Sequence, residues 1–420
     1  MKIVVLIGAA VIGLGMSAPT AATAAPTTVR VSVSSAAAEA NAGSGVGRVA
    51  VSANGRFIAF TATASNLVPG DGNGAPDVFV RDTVSNTTER VSVSSAEVEG
   101  NHTSTSDALA ISPSGRYVTF ASYATNLAPG NDDSVCAPER CPDVYIRDRT
   151  DGTTRMLVPF DNFPVSHLAL SAGARWYAYD DVFLTGVERC RRSTGRCRLA
   201  SILPPQITID EIDANSTLGG ISRNGRYVLF HKIGHPLAPN TIGGGVFVRD
   251  VAAGRTRIVT THRFDAADAL SANGEISLFT SRSRTLIRHD TNGARDAFVK
   301  NRITGAIHRV SVSSSEHQAN RPSFGVAISA DGRYCLFSSE ATNLVAGDTN
   351  GVADLFLRDR VRGTTVRVDV AATGAQANGV VGPAAVSSDG GWVAFQSLAS
   401  NLVAGDTNGF TDVFVRGPLN

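Results

Sequence analysis

In the stretch DTNGVAD, Asp348 and Asp354 stand on either side of Asn350 and Gly351, so two carboxylates, an amide oxygen and a turn-forming glycine lie close together. Such donors suit a hard cation. Calcium is the natural occupant, with backbone carbonyls and water raising the coordination to ~6 to 8 oxygens. The same set recurs as Asp71, Asn73 and Asp77, as Asp290, Asn292 and Asp296, and as Asp406, Asn408 and Asp412. Calcium is therefore expected at four loops. The competing expectation is a plain turn, in which Asp and Asn side chains bond their own backbone, glycine adopts a left-handed conformation and the second aspartate only opens a strand. The further acidic positions of an EF-hand loop are absent.

One copy is altered. The loop NDDSVCAPERCPD keeps Asp132, Asp133 and Asp143 but carries Cys136 and Cys141 between them. Two local disulfides are expected, Cys136 with Cys141 and Cys190 with Cys197, while Cys335 lies inside the apolar run RYCLFSS and is expected to be a free, buried thiol. The C-x-x-C spacing of zinc sites is absent, so a thiol-bound metal is not expected.

The elements that position these loops repeat with them. NLVAGDTNGVADLFLRD (Asn343 to Asp359) returns as NLVAGDTNGFTDVFVRG (Asn401 to Gly417), NLVPGDGNGAPDVFVRD (Asn66 to Asp82) and HDTNGARDAFVKN (His289 to Asn301). Asp290, Asp348 and Asp406 are spaced 58 residues apart, a period of arrays or propellers. A complete unit, 324 to 372, reads as the run GVAIS, a turn, the strand RYCLFSS, the acidic loop, the strand DLFLRD, a turn and the strand TTVRVDVAA. S-x-x-G turns beginning at Ser52, Ser112, Ser222, Ser271, Ser329 and Ser387, with a weaker copy at Ser171, mark seven units. The last unit lacks a fourth strand, and TTVRVSVSS (Thr27 to Ser35) stands unattached at the beginning. Joining the two predicts an all-β, seven-bladed β-propeller of four-stranded antiparallel blades, its ring closed by the N-terminal strand.

The pattern A-x-S-x-D-G-R-Y-x-x-F, present from Ala327 to Phe337 and more loosely from Ala110 to Phe120 and Ala50 to Phe60, resembles the TolB-type, WD-like propeller repeat. The resemblance covers nearly all of the chain after its first residues. It implies the propeller fold and an exported location, without the helical N-terminal domain of TolB itself or the hydrolase domain of propeller peptidases. It does not imply an activity.

Strand direction reverses at each turn, so the loops from strand two to three and from strand four to the next blade share one face. That face carries the acidic loops and the Ala-Asn and Gly-Asn pairs at Asn41, Asn101, Asn215, Asn320 and Asn378. His102, His262, His289 and His317 fall in or beside these loops and are read as exposed residues without a role. An enzyme would need His, Arg and acidic residues from neighbouring blades to converge on the channel mouth. G-x-S-x-G, H-E-x-x-H and phosphate-cradling motifs are absent.

At the start, Met1 and Lys2, an apolar run from Ile3 to Met16 and Ala22-Thr23-Ala24 read as a secretory signal cut near Ala24, leaving one propeller domain over 25–420. A secreted or periplasmic protein with no membrane span is expected. Without Lys2 the basic and acidic residues balance, so nucleic acid is not an expected partner. The reading is a monomeric, calcium-stabilised module that binds a protein or glycan on the loop-rich face. The alternative is a polysaccharide lyase or hydrolase acting from that face.

Overall fold

The computed structural model describes residues 25–420 except 46, 130–141, 159–164, 182–185, 206, 208–214 and 235–242. The signal segment, Asp132, Asp133 and the Cys136–Cys141 pair thus lie outside the described residues.

The strand Asp77–Asp82 shows why the chain folds as it does. DVFVRD alternates weakly in polarity, yet all six residues are buried. A strand in the middle of a propeller blade is covered on both faces by adjacent blades, so both of its faces must be apolar or internally paired. Phe79 stacks on Phe60 of the preceding strand at 6.0 Å, and the same pairing recurs at Phe120–Tyr145, Phe230–Phe247, Phe279–Phe298, Phe337–Phe356 and Phe395–Phe414. Of its three polar residues, Arg81 and Asp82 pair within the fold and Asp77 belongs to the acidic loop described below. Arg81 reaches into the neighbouring blade to donate to the Ser34 carbonyl at 3.1 Å, and Asp82 accepts two bonds from Arg56, at 2.9 and 2.7 Å.

Repeated in this way, the strands form seven four-stranded antiparallel sheets. Six are sequential hairpins: blade 1 spans 50–90, blade 2 spans 104–158, blade 3 spans 165–199, blade 4 spans 215–260, blade 5 spans 266–309 and blade 6 spans 323–367. Blade 7 spans 381–417 and is completed by β1 (Thr27–Arg30), which pairs antiparallel with β28 (Asp412–Gly417) from Thr27↔Gly417 to Arg30↔Phe414. Ring closure by the first strand is therefore observed. The fourth strands are shorter than their sequence pattern suggests: the one in blade 6 ends at Arg367, because the chain beyond turns back to bridge Val370 with Gln376.

The first strand of each blade lines the central channel. Those used below are β10 (Val165–Leu170), β14 (Asn215–Ile221), β18 (Ala266–Leu270) and β22 (Ser323–Ile328). On the face away from the acidic loops, the S-x-x-G turns join head to tail through backbone bonds of 2.7–3.2 Å. Ala53 N donates to Pro113 O, Ala172 N to Arg223 O, Arg223 N to Ala272 O, Ala272 N to Ala330 O, Ala330 N to Ser388 O and Asp389 N to Ala53 O. The link from blade 2 to blade 3 would start at Pro113, which has no N–H to give. Cys190 and Cys197 form a disulfide across blade 3, and Cys335 is free and buried, its thiol pushed up to about 12 by burial.

Candidate functional site

The four acidic loops adopt one design, seen most fully in blade 1. Asn73 accepts the Ala75 N–H at 2.7 Å through its amide oxygen, so its Nδ2 points inward to Asp77 (3.1 Å) and the Gly100 carbonyl (2.9 Å). Asp77 is buried, accepts the Ser92 hydroxyl at 2.6 Å and lies 3.1 Å from Nη1 of Arg90, which is also 3.7 Å from Asp71. Glu99, from the following inter-blade loop, completes the cluster against Arg90. Blade 7 repeats it with Asp406, Asn408, Asp412, Arg30, Ser32 and Glu39. Blades 5 and 6 repeat it with Asp290, Asn292, Asp296 and Arg309 and with Asp348, Asn350, Asp354 and Arg367, but place Gln318 and Gln376 where the other two have glutamate.

The structure thus brings every predicted aspartate pair together, and each pair meets an arginine that the motif reading passed over. The signal was present: Arg90 follows Asp77 by 13 residues, and Arg309 and Arg367 stand at the same offset from Asp296 and Asp354. Asp71, Asp77 and Glu99, and likewise Glu39, Asp406 and Asp412, bring carboxylate oxygens within 4.8 Å of one another and form groups that could hold a metal ion. Burial pushes Asp71 up to about 6 against the pull of Arg90, and Asp77 and Glu99 add to the rise. At Glu39 burial works against the charge, but bonds from Thr407 and Arg30 outweigh it and hold the carboxyl at about 2.

The asparagines flagged on this face have a structural task. Asn41 exchanges bonds with Ser65 and Asn66, and Asn66 Nδ2 donates to the Glu39 carbonyl at 2.7 Å, tying the inter-blade loop to the long loop of the next blade. Asn101 with Asn126, Asn320 with Asn343 and Asn378 with Asn401 repeat the lock, whereas Asn215 begins β14 and takes no part in it.

The predicted loop histidines do not converge. His262, His289 and His317 are exposed, and His102 accepts the N–H of its own neighbour Thr103. Two other histidines, His167 on β10 and His231 in blade 4, line one 440 Å³ cavity at the channel mouth with Arg263, Asp265, Asp268 and Arg295. Asp180, only 2% exposed, accepts the His167 backbone N–H at 2.8 Å and the Leu218 N–H at 2.7 Å and lies 3.0 Å from the His167 Nδ1, which holds the ring at the cavity wall. Sequence reading missed His167 because unit three, where it lies, is the most diverged copy.

No helix among the described residues is long and apolar enough to cross a membrane. No family model matches the chain, and no curated protein sequence matches it. Solved structures do. An oligogalacturonate lyase from Vibrio parahaemolyticus is similar with a TM-score of 0.53 at 10% identity, over 88% of each chain. An oligogalacturonate lyase in complex with manganese has a TM-score of 0.54 at 11% identity, over 95% of this chain and 94% of that one. The β-propeller domain of the Trilobed protease from Pyrococcus furiosus, described as having an open velcro topology, has a TM-score of 0.54 at 10% identity, over 89% and 93%. At these identities the likeness extends to the fold alone: the chain is a seven-bladed β-propeller, closed through β1.

Proposed function

We propose that this is an exported propeller of the TolB-type repeat that binds a protein through its loop-rich face. The observation that carries the reading is a group of exposed apolar side chains on the loop-rich end of blade 7. Val380 and Leu398, joined by a backbone hydrogen bond of 3.1 Å, are 51% and 52% exposed, and Phe410 on the adjoining loop is 45% exposed. The Asn378–Asn401 lock and the Arg30 cluster hold these loops in place before any partner arrives, which lowers the ordering cost of binding. Two of these three side chains, Val380 and Leu398, are aliphatic, which suits a protein surface. The disulfide is consistent with an oxidising, exported location. Two substitutions test the reading against a screen of purified extracellular proteins and glycans. Leu398→Glu should abolish a retained interaction, and Val361→Glu on the opposite face, at a position 74% exposed, should leave it intact. Binding that survives Leu398→Glu, or a ligand that proves to be a glycan, overturns it.

Calcium belongs to the same proposal, at the two clusters with three carboxylates. Asp71, Asp77 and Glu99, and Glu39, Asp406 and Asp412, supply the hard oxygen donors, and Arg90 or Arg30 must withdraw for an ion to enter. Bound calcium would add ~2.7 kcal/mol per independent site at a hundredfold excess over its dissociation constant. Chelation should then lower the melting temperature of the wild type and leave an Asp71→Asn, Asp406→Asn double variant unmoved. A wild type indifferent to chelator leaves the arginines as the resident cations.

The lyase or hydrolase reading rests on one observation, the convergence of His167, Asp180 and Arg263 at the channel mouth. Turnover of an acidic polysaccharide that disappears in His167→Gln would support it over the binding role.

A further inference from the structure

Three blades each place one titratable side chain on the wall of a 490 Å³ cavity in the central channel. Arg48 enters from the segment leading into blade 1, His167 from β10 in blade 3 and Asp268 from β18 in blade 5. Every other described lining residue is aliphatic or glycine. The volume falls within the ~300–1,000 Å³ of small-molecule sites, which are typically apolar with a few convergent polar groups. The mouth cavity shares the His167, Leu218, Ala267 and Asp268 walls, so the two are continuous with the loop-rich face.

The three polar groups differ in how their charge is met. His167 is held by Asp180 through Nδ1, and its Nε2 takes no hydrogen bond among the described residues. Asp268 is the extra residue of a bulge between Ala267 and Ala269, which turns its side chain inward. Its carboxylate accepts the Thr280 hydroxyl at 2.7 Å, and a Cβ on Gly325 of β22 would come within 2.3 Å of it, so a larger residue there would push this group aside. Burial pushes the Asp268 carboxyl well up, with Asp265 adding to the rise. Arg48 is the exception. Among the described residues it has no salt bridge, and its one side-chain hydrogen bond is Nη2 to the Ser166 carbonyl at 3.4 Å. Burial lowers its affinity for the proton, and the more distant Asp180 and Asp107 only partly restore it. A desolvated guanidinium without an ionic partner gains most from an anion that can take its planar fork.

We propose that the central cavity binds a small organic monocarboxylate, its carboxylate paired with Arg48 and its apolar body packed on the aliphatic wall. One guanidinium compensates one negative charge. A phosphate dianion would bring a second charge beside Asp180 into a poorly solvated site, where like charges repel strongly. The Asp268 carboxyl and His167 lie on the same wall and are the polar groups within reach of a ligand's remaining polar atoms.

The test uses benzoate and phenylacetate, titrated calorimetrically into the full chain at neutral pH beside benzamide and inorganic phosphate. At least one carboxylate should bind with one-to-one stoichiometry and at least ~10-fold more tightly than benzamide or phosphate. Arg48→Gln should weaken it ~10-fold or more, and Arg48→Lys should retain part of the affinity because it keeps the charge and loses the fork. Ala110→Leu, which fills the cavity from its wall, should abolish binding without altering any charge. Melting curves verify that each variant is folded, and if Arg48→Gln is not, Arg48→Lys and Ala110→Leu carry the test. The proposal is overturned if neither carboxylate binds the wild type at millimolar concentration, if phosphate binds as well, or if affinity survives in the folded Arg48→Gln or Ala110→Leu proteins.

Discussion

Asp369 stands where three sister clusters have serine. Ser32, Ser92 and Ser311 each donate a hydroxyl to the aspartate opening the third strand, whereas Asp369 can only bring a second carboxyl against Asp354. Its Oδ1 accepts the Leu355 N–H at 2.9 Å, but the buried Oδ2 meets no donor. Asp369→Ser should raise stability by ~1–3 kcal/mol, the cost of a buried group left unsatisfied. A higher urea midpoint with an unchanged slope is the expected reading, and an equal or lower midpoint refutes it. His231 makes a second residue-level case. Its Nε2 lies 3.0 Å from the Arg263 carbonyl, and burial pulls its pKa below the ordinary 6.5. The unfolded chain therefore takes up this proton more readily than the folded one, so the residue withdraws stability as pH falls through its unfolded value. His231→Gln should flatten the loss of stability between about pH 7 and 5, where its unfolded form titrates. Identical pH slopes in the two proteins would exclude this.

At the scale of the element, β1 does more than cover an edge. It brings Arg30 to Asp412, which is fully buried, and Ser32 to the same carboxylate at 2.5 Å. Deleting 27–35 should cost ~3–5 kcal/mol from the orphaned charge alone, before counting the lost ladder. A truncated protein that melts with the intact form would refute the closure. The strands and their closure were legible in the sequence because each unit restates them: a missing fourth strand at one end and a spare at the other admit one arrangement. The aspartate pairs were legible for the same reason. Arg90 and its counterparts showed only a constant offset, since an arginine in TTERV looks like the solvent-facing residue of an alternating strand until the loop folds over it. His167 was hidden differently. Its neighbours VSHLAL carry no motif, and only the curvature of the ring brings them opposite Arg48 and Asp268.

Across the whole molecule, the turns on the face away from the acidic loops act as a hoop with one unmade link. Pro113→Ala would supply the missing N–H toward the Ala172 carbonyl. Losing proline's restriction of the unfolded chain costs ~0.4–1 kcal/mol and a new hydrogen bond returns about as much, so little change in overall stability is expected. Hydrogen exchange is the sensitive reading: the new amide at 113 should be as protected as those of Ala172 and Ala272, and rapid exchange there would mean that the gap has a cause other than proline. The register of β1 has a mechanical consequence. Thr27 lies opposite Gly417, so chain entering before the first and leaving after the second departs from the same end of the closing blade. Tension applied through those two points loads the bond at Thr27 before the one behind it, and the strand peels like a zip instead of resisting in shear. Single-molecule pulling should therefore open blade 7 first and at low force, and a high-force initial rupture would contradict this geometry. A protein anchored through one of these ends alone would carry load without straining its own closure.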